Sequence, residues 1–242
     1  MCGHGTIGLC TTLVELGFIK PNDPCTNIKI DTIAGRVNGY ALSEHGQVTL
    51  AGFQNIPSFC VGIQEQVTID DIGLIEVGIA YGGNFFAIVP AEAFGIKISL
   101  DNMSRIREVG RLIKRTVNEQ LKVRHPLRED ISGVDIVTFY GPPTHPQATY
   151  KNVHVFGDGQ VDRSPGGTGT SALLAYLIAK GEIGSQESVV AEGIAGGLFQ
   201  GRVVESWKEN GVVYHTPDIS GRAYLTGIHH FILDPQDPVL YH

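Results

Sequence analysis

Two apolar stretches punctuate this 242-residue chain, at 7–16 and 171–180, and each is opened and closed by glycine. The first follows Cys2-Gly3-His4-Gly5-Thr6 and stops at Gly17; the second follows Gly166-Gly167-Thr168-Gly169-Thr170 and stops at Gly181. The intervals are identical, and the exits Gly17-Phe18-Ile19 and Gly181-Glu182-Ile183 correspond. Glycine past the last apolar position is the usual helix stop, so both stretches read as helices. The second, with Ala172, Leu173, Leu174, Ala175, Tyr176, Leu177, Ile178 and Ala179, is hydrophobic on every side, the pattern of a helix enclosed by sheet. A third helix is marked differently. Over 104–121, Ile106, Val109, Ile113, Val117 and Leu121 recur at threes and fours, which puts them on one face, and Pro126 lies just beyond.

Between these helices run short stretches rich in β-branched and aromatic residues: 27–31, 47–50, 74–79, 85–89, 134–140, 152–156, 201–204, 211–214 and 229–233. Each half of the chain is therefore β-rich with one central apolar helix, and the repeated unit implies two related halves.

Composition adds exclusions. A net charge of −7 argues against a nucleic-acid surface, because the basic residues between Arg105 and Arg128 belong to the one-faced helix and form no separate tail. The first apolar run is too short for a membrane span and contains Thr11, Thr12 and Glu15; with no signal-peptide pattern, the expected location is cytoplasmic. Cys2, Cys10, Cys25 and Cys60 lack metal-ligand spacing and read as free thiols, the last three as packed or surface residues. His229-His230 invites a metal site, but neighbours on a strand point to opposite faces, so no metal is expected.

The chemistry concentrates at the glycine turns. Glycines there let backbone N–H groups approach a ligand closely, and the unpaired donors at a helix start attract an anion such as a carboxylate. A helix N-terminus also favours a charged sulfur, which makes Cys2 a candidate base or nucleophile. Its counterpart in the repeat, Gly166, has no side chain.

The two opening segments, Met1-Cys2-Gly3-His4-Gly5-Thr6-Ile7-Gly8 and Asp162-Arg163-Ser164-Pro165-Gly166-Gly167-Thr168-Gly169-Thr170-Ser171-Ala172, resemble the signature segments of the proline racemase family, which includes hydroxyproline 2-epimerases and trans-3-hydroxy-L-proline dehydratases. Tyr81-Gly82-Gly83-Asn84-Phe85-Phe86, Pro143-Thr144-His145-Pro146, Ala148-Thr149-Tyr150-Lys151-Asn152-Val153 and Asp234-Pro235-Gln236-Asp237-Pro238 resemble further landmarks in the same order. The resemblance covers essentially the whole chain. It departs in two places: family members have roughly eighty to ninety residues before the first signature, and the racemases carry cysteine where this chain has Gly166.

The resemblance implies an α/β fold of two pseudo-symmetric, diaminopimelate-epimerase-like domains, each a curved sheet around a central helix, with the active site in the cleft between them. The expected division is 1–90 for a first, incomplete domain, 91–225 for a second, and 226–242 for a segment returning to the first. Without a preceding segment, the first domain would lack strands over its helix, leaving apolar surface and sheet edges exposed and stability low or dependent on a partner.

The resemblance also assigns roles. Cys2 is one acid–base group and Gly166 marks the place of the missing second. Gly3, His4, Gly167 and Thr168 hold the substrate carboxylate, Asp162 meets the ring nitrogen, and Phe156 packs against the ring. The implied activity is cofactor-independent proton abstraction and return at Cα of proline or hydroxyproline, with two-base racemisation impaired because glycine cannot titrate. Two alternatives stay open: a one-thiol dehydratase of trans-3-hydroxy-L-proline, and an inactive or ligand-binding relic. The expected partner is a small-molecule substrate in a homodimer, without nucleic acid, membrane or metal.

Overall fold

The computed structural model describes residues 2–32, 35–70 and 72–238. The glycine-bounded stretches form α1 (Gly3–Glu15) and α3 (Gly167–Lys180), and the one-faced stretch forms α2 (Met103–Gln120). The repeat is visible at both helix ends. Cys2 and Gly166 are the equivalent N-cap residues, and Gly17 and Gly181 leave the helices at φ +74° and +76°. α3 closes with the paired bonds of a Schellman motif, Glu182 N–H to Leu177 O and Gly181 N–H to Ile178 O, both at 3.0 Å.

The strands are β1 (Cys25–Thr32), β2 (Gly35–Glu44), β3 (Gln47–Gln54), β4 (Ser58–Ile69), β5 (Gly73–Tyr81), β6 (Phe85–Pro90), β7 (Ile136–Gly141), β8 (Tyr150–Phe156), β9 (Gln160–Val161), β10 (Val189–Glu192), β11 (Leu198–Glu209) and β12 (Val212–Gly221). They make one sheet in the order β1-β2-β3-β12-β11-β10-β8-β7-β6-β5-β4, with β9 beside β8. β4 pairs back onto β12 through Phe59 with Tyr214 and Ser58 with His215, so the strands from β12 round to β4 close on themselves. The parallel pairs β6–β7 and β8–β10 are joined by crossovers that contain α2 and α3.

Alternation along β6 shows how the layers divide. Phe85, Ala87 and Val89 join the core beneath α2, while Phe86 and Ile88 join the core around α3, so both faces are covered and the strand is apolar throughout. Ala172, Leu173, Leu174 and Ala175 of α3 are fully buried inside the closed sheet, as the all-round hydrophobic pattern requires. α1 is covered on one side only, where Ile7, Cys10 and Val14 pack on Phe53, Ile219 and the inner residues of β1 and β2. Leu9, Leu16 and Phe18 are 41%, 39% and 73% exposed, and among the described residues β1 stands at the end of the strand order.

One expected strand is absent. The run 229–233 lies in an irregular segment, with Phe231 and Ile232 89% and 91% exposed: its alternation is strand-like, but among the described residues no strand pairs with it. The argument that His229 and His230 face opposite ways on a strand therefore does not apply. Residues 239–242, the end of the segment expected to return to the first domain, lie outside the described residues.

Candidate active site

The two helix starts meet. A Cβ added at Gly3 would lie 2.5 Å from Gly167 Cα, and one added at Gly167 would lie 2.7 Å from Gly3 Cα; either would be 3.0 Å from Cζ of Phe53 on β3. Backbone thus touches backbone over an aromatic floor. Neither helix has a side-chain cap, so the first-turn N–H groups of Gly3, His4, Gly167 and Thr168 lack intrahelical acceptors at the ends where the two helices meet. Unpaired donors at a helix start favour an anion.

The N-cap residues flank the junction. Cys2 is exposed, with Sγ over the first turn: a Cβ at Gly5 would be 3.1 Å from it. By contrast, burial pushes the thiols of Cys10 and Cys60 up to about 11, which keeps them protonated. At the equivalent position Gly166 offers only backbone.

A polar cluster bridges the two halves. Asp162 follows β9, its N–H donating to His154 O at 3.0 Å. Its Oδ1 accepts from the Ser164 N–H and hydroxyl at 2.9 and 2.8 Å, and its Oδ2 lies 3.2 Å from Nδ1 of His4 on α1. The Asp162 hydrogen bond raises the His4 pKa above its ordinary value, against the opposing effect of partial burial. Burial pushes the Asp162 carboxyl up, but His4 and the Ser164 N–H outweigh it and hold the group below its ordinary range. The side chains of His4 and Asp162 are therefore paired with each other, while the backbone of His4 stays free to donate.

Two other sequence landmarks form buried polar contacts, one of them against this junction. The Tyr81-Gly82-Gly83 turn passes so close to α3 that a Cβ at Gly82 would lie 2.2 Å from Thr168 O, and Asn55 Nδ2 ties Gly82 O and Ser171 Oγ together at 2.8 and 2.9 Å. Glu192 on β10 accepts from the Thr144 hydroxyl and N–H, the His145 N–H and Lys151 Nζ. Burial alone would raise the Glu192 pKa, yet these donors hold it down to about 2. The Pro143-Thr144-His145-Pro146 segment and Lys151 thus form a buried ionic clamp at one end of the barrel.

Cys2, Gly3, His4, Asp162, Gly166, Gly167 and Thr168 gather at the junction. Phe156 stands at the end of β8, 40% exposed and outside the hydrogen-bonded cluster. Sequence reasoning missed His154, Ser164 and Phe53. His154 carried a signal: it is an imidazole flanked by Val153 and Val155 in a β-strand pattern, on the same face as Asn152 and Phe156. A cavity of about 700 Å³ lies elsewhere, on the sheet face opposite α1, but its Asp218 is already engaged by Tyr40 and Arg202, so it offers less unsatisfied chemistry than the junction.

A family model described as "Proline racemase" matches residues 1–241. The proline racemase of Clostridioides difficile is 42% identical over 239 residues, which cover 99% of this chain and 71% of that protein. A trans-3-hydroxy-L-proline dehydratase of Bacillus thuringiensis is 38% identical over 237 residues, covering 98% of this chain and 71% of that one. Among solved structures, a hydroxyproline epimerase from Agrobacterium vitis with bound trans-4-hydroxy-L-proline superimposes with a TM-score of 0.88 at 33% identity, over 99% of this chain and 69% of that one.

Proposed function

We propose, from the premise that this chain belongs to the proline racemase family, that it removes and returns the Cα proton of proline or a hydroxylated proline from one side only, with Cys2 as the acid–base group. The substrate carboxylate would sit on the N–H groups of Gly3, His4, Gly167 and Thr168, which also stabilise the charge that spreads into it when the C–H bond breaks. Asp162 would receive the ring ammonium in exchange for His4, and Phe156 would pack against the ring. The thiolate takes the proton and the resulting thiol gives it back. The observation that carries the one-sided reading is glycine at position 166, where the structural counterpart of Cys2 has nothing to titrate.

A second reading is favoured by the lone thiol together with the His4–Asp162 pair. With trans-3-hydroxy-L-proline, Cys2 would take the α-proton, the C–H electrons would form the C2–C3 double bond, and protonated His4 would release the hydroxyl as water. The enamine left behind tautomerises to a cyclic imine.

The test is proton NMR in heavy water with L-proline, D-proline and trans-3-hydroxy-L-proline, using the wild type and Cys2→Ser. One-sided exchange predicts deuterium at Cα of a single proline enantiomer, without inversion, slowed about 10²- to 10⁴-fold by the substitution. Formation of the cyclic imine establishes the dehydratase instead. Inversion at equal rates from both enantiomers refutes one-sidedness, and exchange that survives loss of Cys2 refutes its role.

A further inference from the structure

At Gly166 the missing side chain has not left a vacancy. A Cβ built there would lie 2.4 Å from Cδ2 and 2.5 Å from Nε2 of His154, with Asp162 Oδ2 at 3.6 Å. The same ring would meet a Cβ at Gly169, three residues along α3, at 2.2 Å. His154 therefore lies in a slot made by two glycines on one face of the helix. The residue is 3% exposed and fixed at both nitrogens: Nδ1 is 2.8 Å from the Thr138 hydroxyl and Nε2 is 2.7 Å from Pro165 O. A carbonyl can only accept, so Nε2 carries a proton, and in the neutral ring that burial favours, Nδ1 accepts from Thr138. Phe86 stands edge-on beside the ring, so the imidazole cannot swing aside without disturbing the core.

The backbone agrees with the side-chain packing. The two N-caps have nearly the same ψ, 110° at Cys2 and 118° at Gly166, but φ is −112° at Cys2 and +72° at Gly166. Position 166 is thus in a region that L side chains rarely adopt. It is held there because Pro165 O accepts from His154, from Asn152 Nδ2 at 3.1 Å and from Thr170 Oγ1 at 3.2 Å, while the Gly166 N–H donates to Ser164 Oγ at 3.1 Å.

We propose that His154 and Gly166 are a matched pair: the imidazole fills the space that a side chain at position 166 would need, and so closes that face of the cleft to a second acid–base group. His154 is then a specificity-determining residue that acts by occupancy. Substituting a thiol at 166 would not by itself restore a two-sided site; the ring must also be removed. This rests on reading 166 as the second acid–base position, and the experiment separates the two ideas.

The variants are Gly166→Cys, His154→Val and the double substitution. Iodoacetamide labelling of the folded proteins, read by mass spectrometry with exposed Cys2 as internal reference, reports whether a thiol at 166 reaches the cleft. Deuterium exchange from both proline enantiomers reports whether it acts. The expected result is little labelling in Gly166→Cys and at least about tenfold faster labelling in the double variant. Where proline is a substrate, only the double variant should exchange the second enantiomer, with a gain towards the 10²- to 10⁴-fold of acid–base assistance. If no variant acts on proline, the functional reading fails while the labelling contrast still tests the pair. Equal labelling in the single and double variants, fast or slow, overturns the pairing. Should the cysteine variants fail to fold, Gly166→Ala supplies the test: its loss of melting temperature should be smaller in the His154→Val background, and equal losses in both backgrounds overturn the proposal.

Discussion

Gly3→Ala tests the backbone junction at the centre of the site. The added methyl would face Gly167 Cα at 2.5 Å and Phe53 Cζ at 3.0 Å. Ordinary contact begins near 3.4 Å, so the helix starts must separate by about 0.9 Å, and because the nearest atom is backbone, no rotamer change relieves the clash. Overpacking of this kind costs about 1–3 kcal/mol. Helix propensity acts the other way, since alanine is favoured over glycine by up to about 1 kcal/mol in a helix interior. The two effects therefore predict opposite signs. With overpacking the larger effect, thermal unfolding followed by circular dichroism should show a fall of up to about 12 °C for a chain of this size. Gly167→Ala, with its 2.7 Å approach to Gly3 Cα, should behave alike. The double variant should lose less than the sum, because the second methyl enters a gap the first has widened. Phe53→Leu should rescue little, since it removes the 3.0 Å ring contact and leaves the backbone one. A rise in melting temperature for either alanine variant, or strict additivity, would refute the meeting of the two helix starts.

Two further predictions concern charge. His4 titrates above its ordinary 6.5 and Asp162 below its ordinary 3.8, so their pairing contributes fully between those values; it is lost as pH rises through the raised His4 value or falls through the lowered Asp162 value. NMR titration of the His4 ring should show the upward shift and its disappearance in Asp162→Asn, whereas a His4 that titrates at or below 6.5 in the wild type contradicts the pairing. Glu192→Gln should destabilise by about 3 kcal/mol in chemical denaturation, because it strands the Lys151 ammonium, only 10% exposed, without its partner. Adding Lys151→Met should recover part of that loss; a double variant worse than the single one would show that the clamp does not work through charge.

How much of this was legible in the sequence depended on whether the signal was local. The glycine-bounded helices were, because the starts at Gly3 and Gly167 and the stops at Gly17 and Gly181 are set by nearby backbone geometry, and the hydrophobicity of 172–179 announced a helix enclosed by sheet. Strands β2 and β4 escaped notice, as did the short β9 and β10. β2 turns Gly39 and Ser43 inward, where pattern reading expects large apolar side chains, and β4 has register shifts at Gly62 that break its alternation. The run 229–233 erred in the opposite direction: its alternation is that of a strand, but a strand is made by a neighbour, which no periodicity records. At the site, Cys2 and Gly166 could be singled out from the repeat. The occupancy of position 166 by His154 could not, because it joins residues on β8 and α3 through a contact only the folded chain makes.

β12 has a mechanical consequence for the cleft. Residues Asp218, Ile219, Ser220 and Gly221 pair with Gln54, Phe53, Gly52 and Ala51 of the sheet under α1, while Tyr214 and His215 pair with Phe59 and Ser58 of the barrel around α3. A single ribbon of backbone is therefore laced into both walls. Any breathing of the junction must be carried as bending and twisting of that ribbon, since a free swing about a loop would unzip its ladder. Such a spring is stiff, returns to one resting shape, and transmits a load on either helix start to the other within the same strand.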